Sequence, residues 1–160
     1  MATWDDLSRG RHCPLCRPRV ELSNGLYLVR QLTSCTLYLA RDQRYRGTCR
    51  AIYDLRHVNR IDELTEPEWR QLAVELWHSQ RAVMRTFGSD HINLASLGNE
   101  VPHLHWHLIP RYRGDGLWGA PIWRADPASV PERTLRESEY ATLAAALNAA
   151  LEAEACPLPG

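Results

Sequence analysis

Histidine alternates strictly with apolar residues in Pro102-His103-Leu104-His105-Trp106-His107-Leu108-Ile109. Imidazole is a nucleophile, a proton carrier and a common metal ligand near neutral pH. In an extended strand alternate residues share a face, so the imidazoles would line one side and Leu104, Trp106 and Leu108 the other. Spacing limits what a metal alone can explain. A rise of ~3.3 Å per residue separates His103 from His107 by roughly 13 Å, whereas zinc holds its nitrogens within ~2.1 Å. One ion can take two neighbouring histidines, and a third only through a bulge or strong bend. The remainder are free for nucleophilic catalysis. One imidazole attacks phosphorus and a second protonates the leaving group, so that a covalent intermediate splits one displacement into two.

A second constellation is Cys13-Pro14-Leu15-Cys16, which has the spacing of half a zinc site. Two reduced structural cysteines are an alternative. A redox dithiol is a weaker one, because no thioredoxin-like βαβ pattern surrounds the pair. The cysteines number five, an odd count with only this pair close together, so a disulfide framework is not expected and a cytoplasmic address is. Cys35 and Cys49 fall inside strand patterns and read as small buried hydrophobes, and Cys156 as a free thiol. His12 is a spare candidate ligand and reads more simply as a neighbour of the cysteine pair, and His78 and His91 read as surface residues.

Charge narrows the chemistry further. The 160 residues carry 19 basic and 19 acidic groups, and every basic one is arginine. Schiff-base chemistry, a pyridoxal phosphate anchor and a P-loop lysine are therefore excluded. Zero net charge argues against broad nucleic-acid binding. Neither a secretory leader nor an apolar run of membrane-spanning length is visible.

The elements that must position these residues follow from periodicity. Residues 1–20 look irregular. Leu26 to Leu32 and Thr36 to Ala40 alternate as a hairpin, followed by strands over Thr48 to Asp54, Ile92 to Leu97 and His103 to Ile109. Thr65-Glu66-Pro67-Glu68 is a capping box opening a helix with Trp69, Leu72, Leu76, Val83, Met84 and Phe87 on its apolar side, closed by Gly88. Residues 111–131 form a long loop, and 138–153 a second helix with Leu143, Leu147 and Leu151 in a stripe. One α+β domain over 1–160 is expected, with an antiparallel sheet of about five strands, one long central helix and a C-terminal helix.

The stretch from Pro102 to Ile109 resembles the signature of the histidine triad (HIT) family. The resemblance extends to Asn93-Leu94-Ala95-Ser96-Leu97-Gly98-Asn99 and covers roughly residues 13–123. It implies the HIT-like fold and an enzyme that hydrolyses or transfers a nucleotidyl group. Dinucleoside polyphosphates or nucleoside phosphoramidates are the implied substrates, and a covalent nucleotidyl-histidine the intermediate. By motif position His105 is then the nucleophile, with His107 on phosphate or leaving group and Asn99 where relatives place a phosphate-contacting amide. Asn93 falls near another phosphate position, and Asp42 or Gln43 near the ribose loop. The wider superfamily joins Cys-x-x-Cys to two histidines, which implies a structural zinc on Cys13, Cys16, His57 and His103, and no catalytic cofactor. Arg111 and Arg113 could clamp phosphate, and Trp118 and Trp123 could stack on a base or fill the interface of the homodimer usual in the family. Two other readings stand beside the enzyme. They are a zinc-stabilised nucleotide-binding module without turnover, and a metal-dependent hydrolase, which the spacing disfavours.

Overall fold

The computed structural model describes residues 2–16 and 25–155. Its strands are β1 (Leu26–Gln31), β2 (Cys35–Ala40), β3 (Cys49–Tyr53), β4 (His91–Ala95) and β5 (His105–Arg111), and its helices α1 (Trp4–Ser8), α2 (Glu66–Phe87) and α3 (Glu137–Ala155). The strands form one antiparallel sheet in the order β1-β2-β3-β5-β4. The expected α+β architecture is the one found. No helix among the described residues is long and apolar enough to cross a membrane.

Alternation assigns the faces. Cys35, Leu37 and Leu39 of β2, Cys49, Ala51 and Tyr53 of β3, and Trp106 and Leu108 of β5 join one core with Leu72, Leu76, Val83 and Phe87 of α2. Trp106 stacks on Trp69 of α2, ring centroids 6.1 Å apart. Each large apolar side chain so buried contributes about 1.5–3 kcal/mol. The opposite parity turns His105 and His107 away from α2, in register with Ile52 and Arg50 of β3.

Helix α2 starts and stops where its sequence dictates. The Thr65 hydroxyl accepts the Glu68 N–H, the Glu68 carboxylate accepts the Thr65 N–H, and Gly88 closes the helix at φ +61°. Glu68 also accepts from the Tyr53 hydroxyl and from Arg56, tying the start of α2 to the end of β3.

Three sequence expectations need correction. The N-terminal segment is not wholly irregular, because Thr3 and Asp6 form a capping box that opens the short α1. The histidine strand begins at His105 and runs to Arg111, which leaves His103 outside it. The buried stripe of α3 is Tyr140, Ala144, Leu147 and Leu151, with Leu143 only partly buried. Tyr140 stacks on Tyr27 at 5.6 Å, and Glu154 pairs with Arg81 and Arg85 of α2.

The turn between β1 and β2 is held from below by a buried carboxylate. Glu75 of α2 accepts the backbone N–H groups of Thr33, Ser34 and Cys35 at 2.9–3.0 Å, and the Ser34 hydroxyl at 2.8 Å. Glu75→Gln keeps the volume but sets an NH₂ among these donors. We expect a loss of about 2–4 kcal/mol, measured by urea unfolding; a loss below about 1 kcal/mol would remove this role from Glu75.

Candidate active site and metal centre

His105 is oriented by its own backbone. Its Nδ1 lies 2.6 Å from the His103 carbonyl oxygen. A carbonyl only accepts, so Nδ1 carries the proton and Nε2 keeps its lone pair. That Nε2 lies 3.2 Å from Nε2 of His107, which then donates to it. Burial, followed by the Arg50 guanidinium and His105, pushes His107 down to about 3. Burial also lowers His105, with the His103 carbonyl opposing and Arg50 reinforcing the effect. Both imidazoles are therefore neutral at physiological pH, the state a nitrogen nucleophile requires.

The neutral His107 sets a pH dependence. Its folded pKa lies below the unfolded value of about 6.5, so the unfolded chain takes up the proton first. Stability is then unaffected above about 6.5 and lost as the pH falls from there towards 3. Between pH 6.5 and 5 carboxylates contribute little. Thermal midpoints at pH 7 and pH 5 should differ less in His107→Gln than in the parent; equal differences would contradict the buried neutral imidazole.

The two imidazoles open on a cleft of about 440 Å³ whose walls include Arg50, Ile52, Gly98, Asn99 and Glu100. Asn99 sits in this cleft, and its carbonyl accepts the indole N–H of Trp4 at 3.1 Å, so α1 braces the loop. A recess of about 230 Å³ adjoins it, lined by Asp42, Arg44, Tyr45, Arg50 and again His107.

The other residues singled out from sequence lie elsewhere or are already engaged. Gln43 is buried, its amide donating to the Ala40 and Thr48 carbonyls and accepting the Gly47 N–H, so it closes its own loop. Arg111 is 4% exposed, and its guanidinium is spent on Asp115, Asn93 and the Ala120 and Leu117 carbonyls. Asn93, Arg111, Trp118 and Trp123 line a separate cleft of about 560 Å³, together with His91 and without His105 or His107. Sequence reasoning missed Arg50 and Glu100. The legible signal for Arg50 was a lone cation within the apolar run Cys49-Arg50-Ala51-Ile52-Tyr53.

His103 belongs to a different cluster. The ligand atoms of Cys13, Cys16, His57 and His103 lie within 4.8 Å of one another, a group able to hold a metal ion. Sγ of Cys16 is 3.2 Å from Nδ1 of His57 and 3.3 Å from Nδ1 of His103, and Sγ of Cys13 is 3.5 Å from the latter. The far nitrogens are committed to carbonyls. Nε2 of His57 donates to Ser8 at the end of α1 (3.2 Å), and Nε2 of His103 to Tyr53 of β3 (2.8 Å). Both Nδ1 lone pairs therefore point at the sulfurs, the outer support that metal-ligating histidines use. Gly10, at φ +76°, lets the chain pass, since a Cβ there would meet Cγ of His57 at 3.2 Å. Without a cation, burial and then the neighbouring Cys13 push the Cys16 thiol up to about 12; a coordinated cation reverses that logic. His105 and His107 are outside the cluster.

Similarity to known proteins agrees with this layout. The family model of the HIT domain matches residues 27–114. An uncharacterized HIT-like protein of Methanocaldococcus jannaschii is 33% identical over 66 residues, 38% of this chain; the chain spans about half the length (50%) of that relative. A histidine triad protein from Marinobacter aquaeolei superposes with a TM-score of 0.73 at 28% identity, covering 87% of this chain and 98% of that one. A zinc-bound histidine triad family protein from Mycobacterium smegmatis shares the fold at 19% identity, with a TM-score of 0.62 over 89% of this chain and 94% of its own. With its triad strand, its sheet order and this match over more than half its length, the chain belongs to the histidine triad family.

Proposed function

We propose that the protein is a nucleotide hydrolase or nucleotidyl transferase working through His105. Family membership supports chemistry on nucleotides at the level of class. The observation that carries the mechanism is the Nε2 lone pair of His105, freed by the His103 carbonyl and set at the wall of a cleft. In the first step this lone pair attacks the α-phosphorus, a P–N bond forms, and the bond to the leaving group breaks. The Nε2–H of His107, 3.2 Å from that lone pair, serves as the proton source for the departing atom, and Asn99, in the cleft wall, offers an amide donor to a phosphate oxygen. In the second step water or another acceptor gives its proton to the Nε2 that His107 left bare in the first step, its oxygen attacks the same phosphorus, the P–N bond breaks, and the lone pair returns to Nε2 of His105. Dinucleoside polyphosphates and nucleoside phosphoramidates both fit this scheme, because only their leaving groups differ.

Cys13, Cys16, His57 and His103 supply two sulfurs and two imidazole nitrogens, the donor set of a closed tetrahedral zinc site. We assign that zinc a structural role, and such an ion joins the N-terminal segment to the sheet. A homodimer is the assembly we expect, with the exposed Trp118 and Trp123 suited to an interface.

The test offers diadenosine tetraphosphate and adenosine 5′-phosphoramidate to the purified protein and follows adenylate release by chromatography. Release that depends on His105 supports the reading. Tight nucleotide binding with no release would instead favour the zinc-stabilised binding module.

A further inference from the structure

Arg50 is a cation of the cleft wall to which the mechanism gives no role. It lies on β3 directly opposite His107 of β5, and it lines both the histidine cleft and the adjoining recess. Among the described residues its guanidinium has no hydrogen-bond or ion-pair partner. The contrast with other arginines is sharp. Arg44, Arg81, Arg85 and Arg111 each pair with a carboxylate. Asp42, a carboxylate lining the same recess, already accepts from the Arg44 side chain and from the backbone N–H groups of Arg44 and Arg133.

A half-buried guanidinium without an anion is unfavourable, because desolvation of the charge is not offset. Burial lowers the Arg50 pKa, which marks the same cost. The cation is thus compensated by something that enters the cleft. Phosphate is the anion whose oxygens match the guanidinium fork in two parallel bonds. With no lysine in the chain and Arg111 engaged elsewhere, Arg50 is the cation shared by the two recesses that meet at His107.

We infer that Arg50 is a specificity-determining phosphate-binding residue that holds the anionic chain of the substrate where the histidine cleft meets the Asp42 recess. This deepens the nucleotidyl-transfer reading and rests on it for the nucleotide half of the ligand. The phosphate half stands on Arg50 alone. Inorganic pyrophosphate, two linked phosphates without a nucleoside, probes that half by itself.

Isothermal titration calorimetry on the full chain with pyrophosphate, ADP and adenosine tests this in the parent, Arg50→Lys and Arg50→Met. Removing a charge-assisted pair of hydrogen bonds should weaken pyrophosphate and ADP by about 10- to 100-fold in Arg50→Met, with a partial return in Arg50→Lys. Adenosine affinity should not move. The thermal midpoint should stay level or rise in Arg50→Met, because an unpaired buried charge is removed. Unchanged pyrophosphate and ADP affinity in Arg50→Met overturns the inference, as does an equal loss for adenosine, or a parent that binds neither anion. Failure of the underlying reading looks different. Arg50-dependent pyrophosphate binding without nucleotide turnover removes the enzyme and keeps Arg50. His105-dependent turnover that Arg50→Met leaves intact removes Arg50 and keeps the enzyme.

Discussion

Replacing His105 by asparagine is expected to lower turnover of a nucleotide substrate by about 10⁴-fold or more, the scale seen when a covalent nucleophile is lost. Asparagine can still donate towards the His103 carbonyl, so the backbone around the site keeps its partner. What disappears is the Nε2 lone pair, and no other described group is placed to replace it. The second imidazole within reach, His107, donates its own Nε2–H towards His105 at 3.2 Å. His107→Asn should therefore cost less, about 10²- to 10⁴-fold, the range of general acid–base contributions. Steady-state kinetics of both variants, beside circular dichroism and metal content to confirm unchanged folding, checks the order. Equal losses in the two variants would mean that the histidines act as one unit without a distinct nucleophile.

Loss of the proposed zinc site is the second large effect. Cys13→Ser removes a buried ligand from the cluster, and zinc per chain should fall from about one to near zero. A ligand present at about 1,000-fold over its dissociation constant adds about 4 kcal/mol to folding. For a chain of this size that corresponds to roughly 8–16 °C in thermal midpoint. Activity should fall as well, at temperatures where the variant remains folded. The reason is local: the carbonyl that fixes the tautomer of His105 belongs to His103, one of the four cluster residues. A loosened His103 leaves Nδ1 of His105 free to lose its proton, and the lone pair then appears on the wrong nitrogen. Metal analysis and differential scanning calorimetry decide the point. A folded parent without metal, and a Cys13→Ser midpoint equal to it, would contradict the site.

The sequence made the alternation of β5 legible because its period belongs to strands alone, and the Thr65/Glu68 capping box and Gly88 announced α2 by types that backbone chemistry requires. Distance showed that one ion does not easily take all three histidines, and the family resemblance assigned His103 to the metal. The actual cause of its separation is different, since His103 precedes the strand and escapes its alternation. Other positions were opaque because their partners are remote in sequence. Nothing near Glu75 reveals that it holds a turn some forty residues earlier. Arg111 looks like a free cation in Arg111-Tyr112-Arg113-Gly114-Asp115 until the loop folds back and engages every part of its guanidinium. Arg50 hides for the converse reason: its importance is the absence of a partner among the described residues, which only the assembled sheet displays. Tyr140 replaced Leu143 in the buried stripe of α3 because the helix packs on Tyr27 and the end of β2 as well as on α2.

The central claim is that His105 carries the nucleotidyl group. Incubation with isotopically labelled diadenosine tetraphosphate, a rapid quench at alkaline pH to preserve the acid-labile P–N bond, and peptide mass spectrometry read it directly. Labelled adenylate is expected on His105 in the parent and none in His105→Asn. Steady product formation with no adduct on His105, and undiminished in His105→Asn, would contradict it.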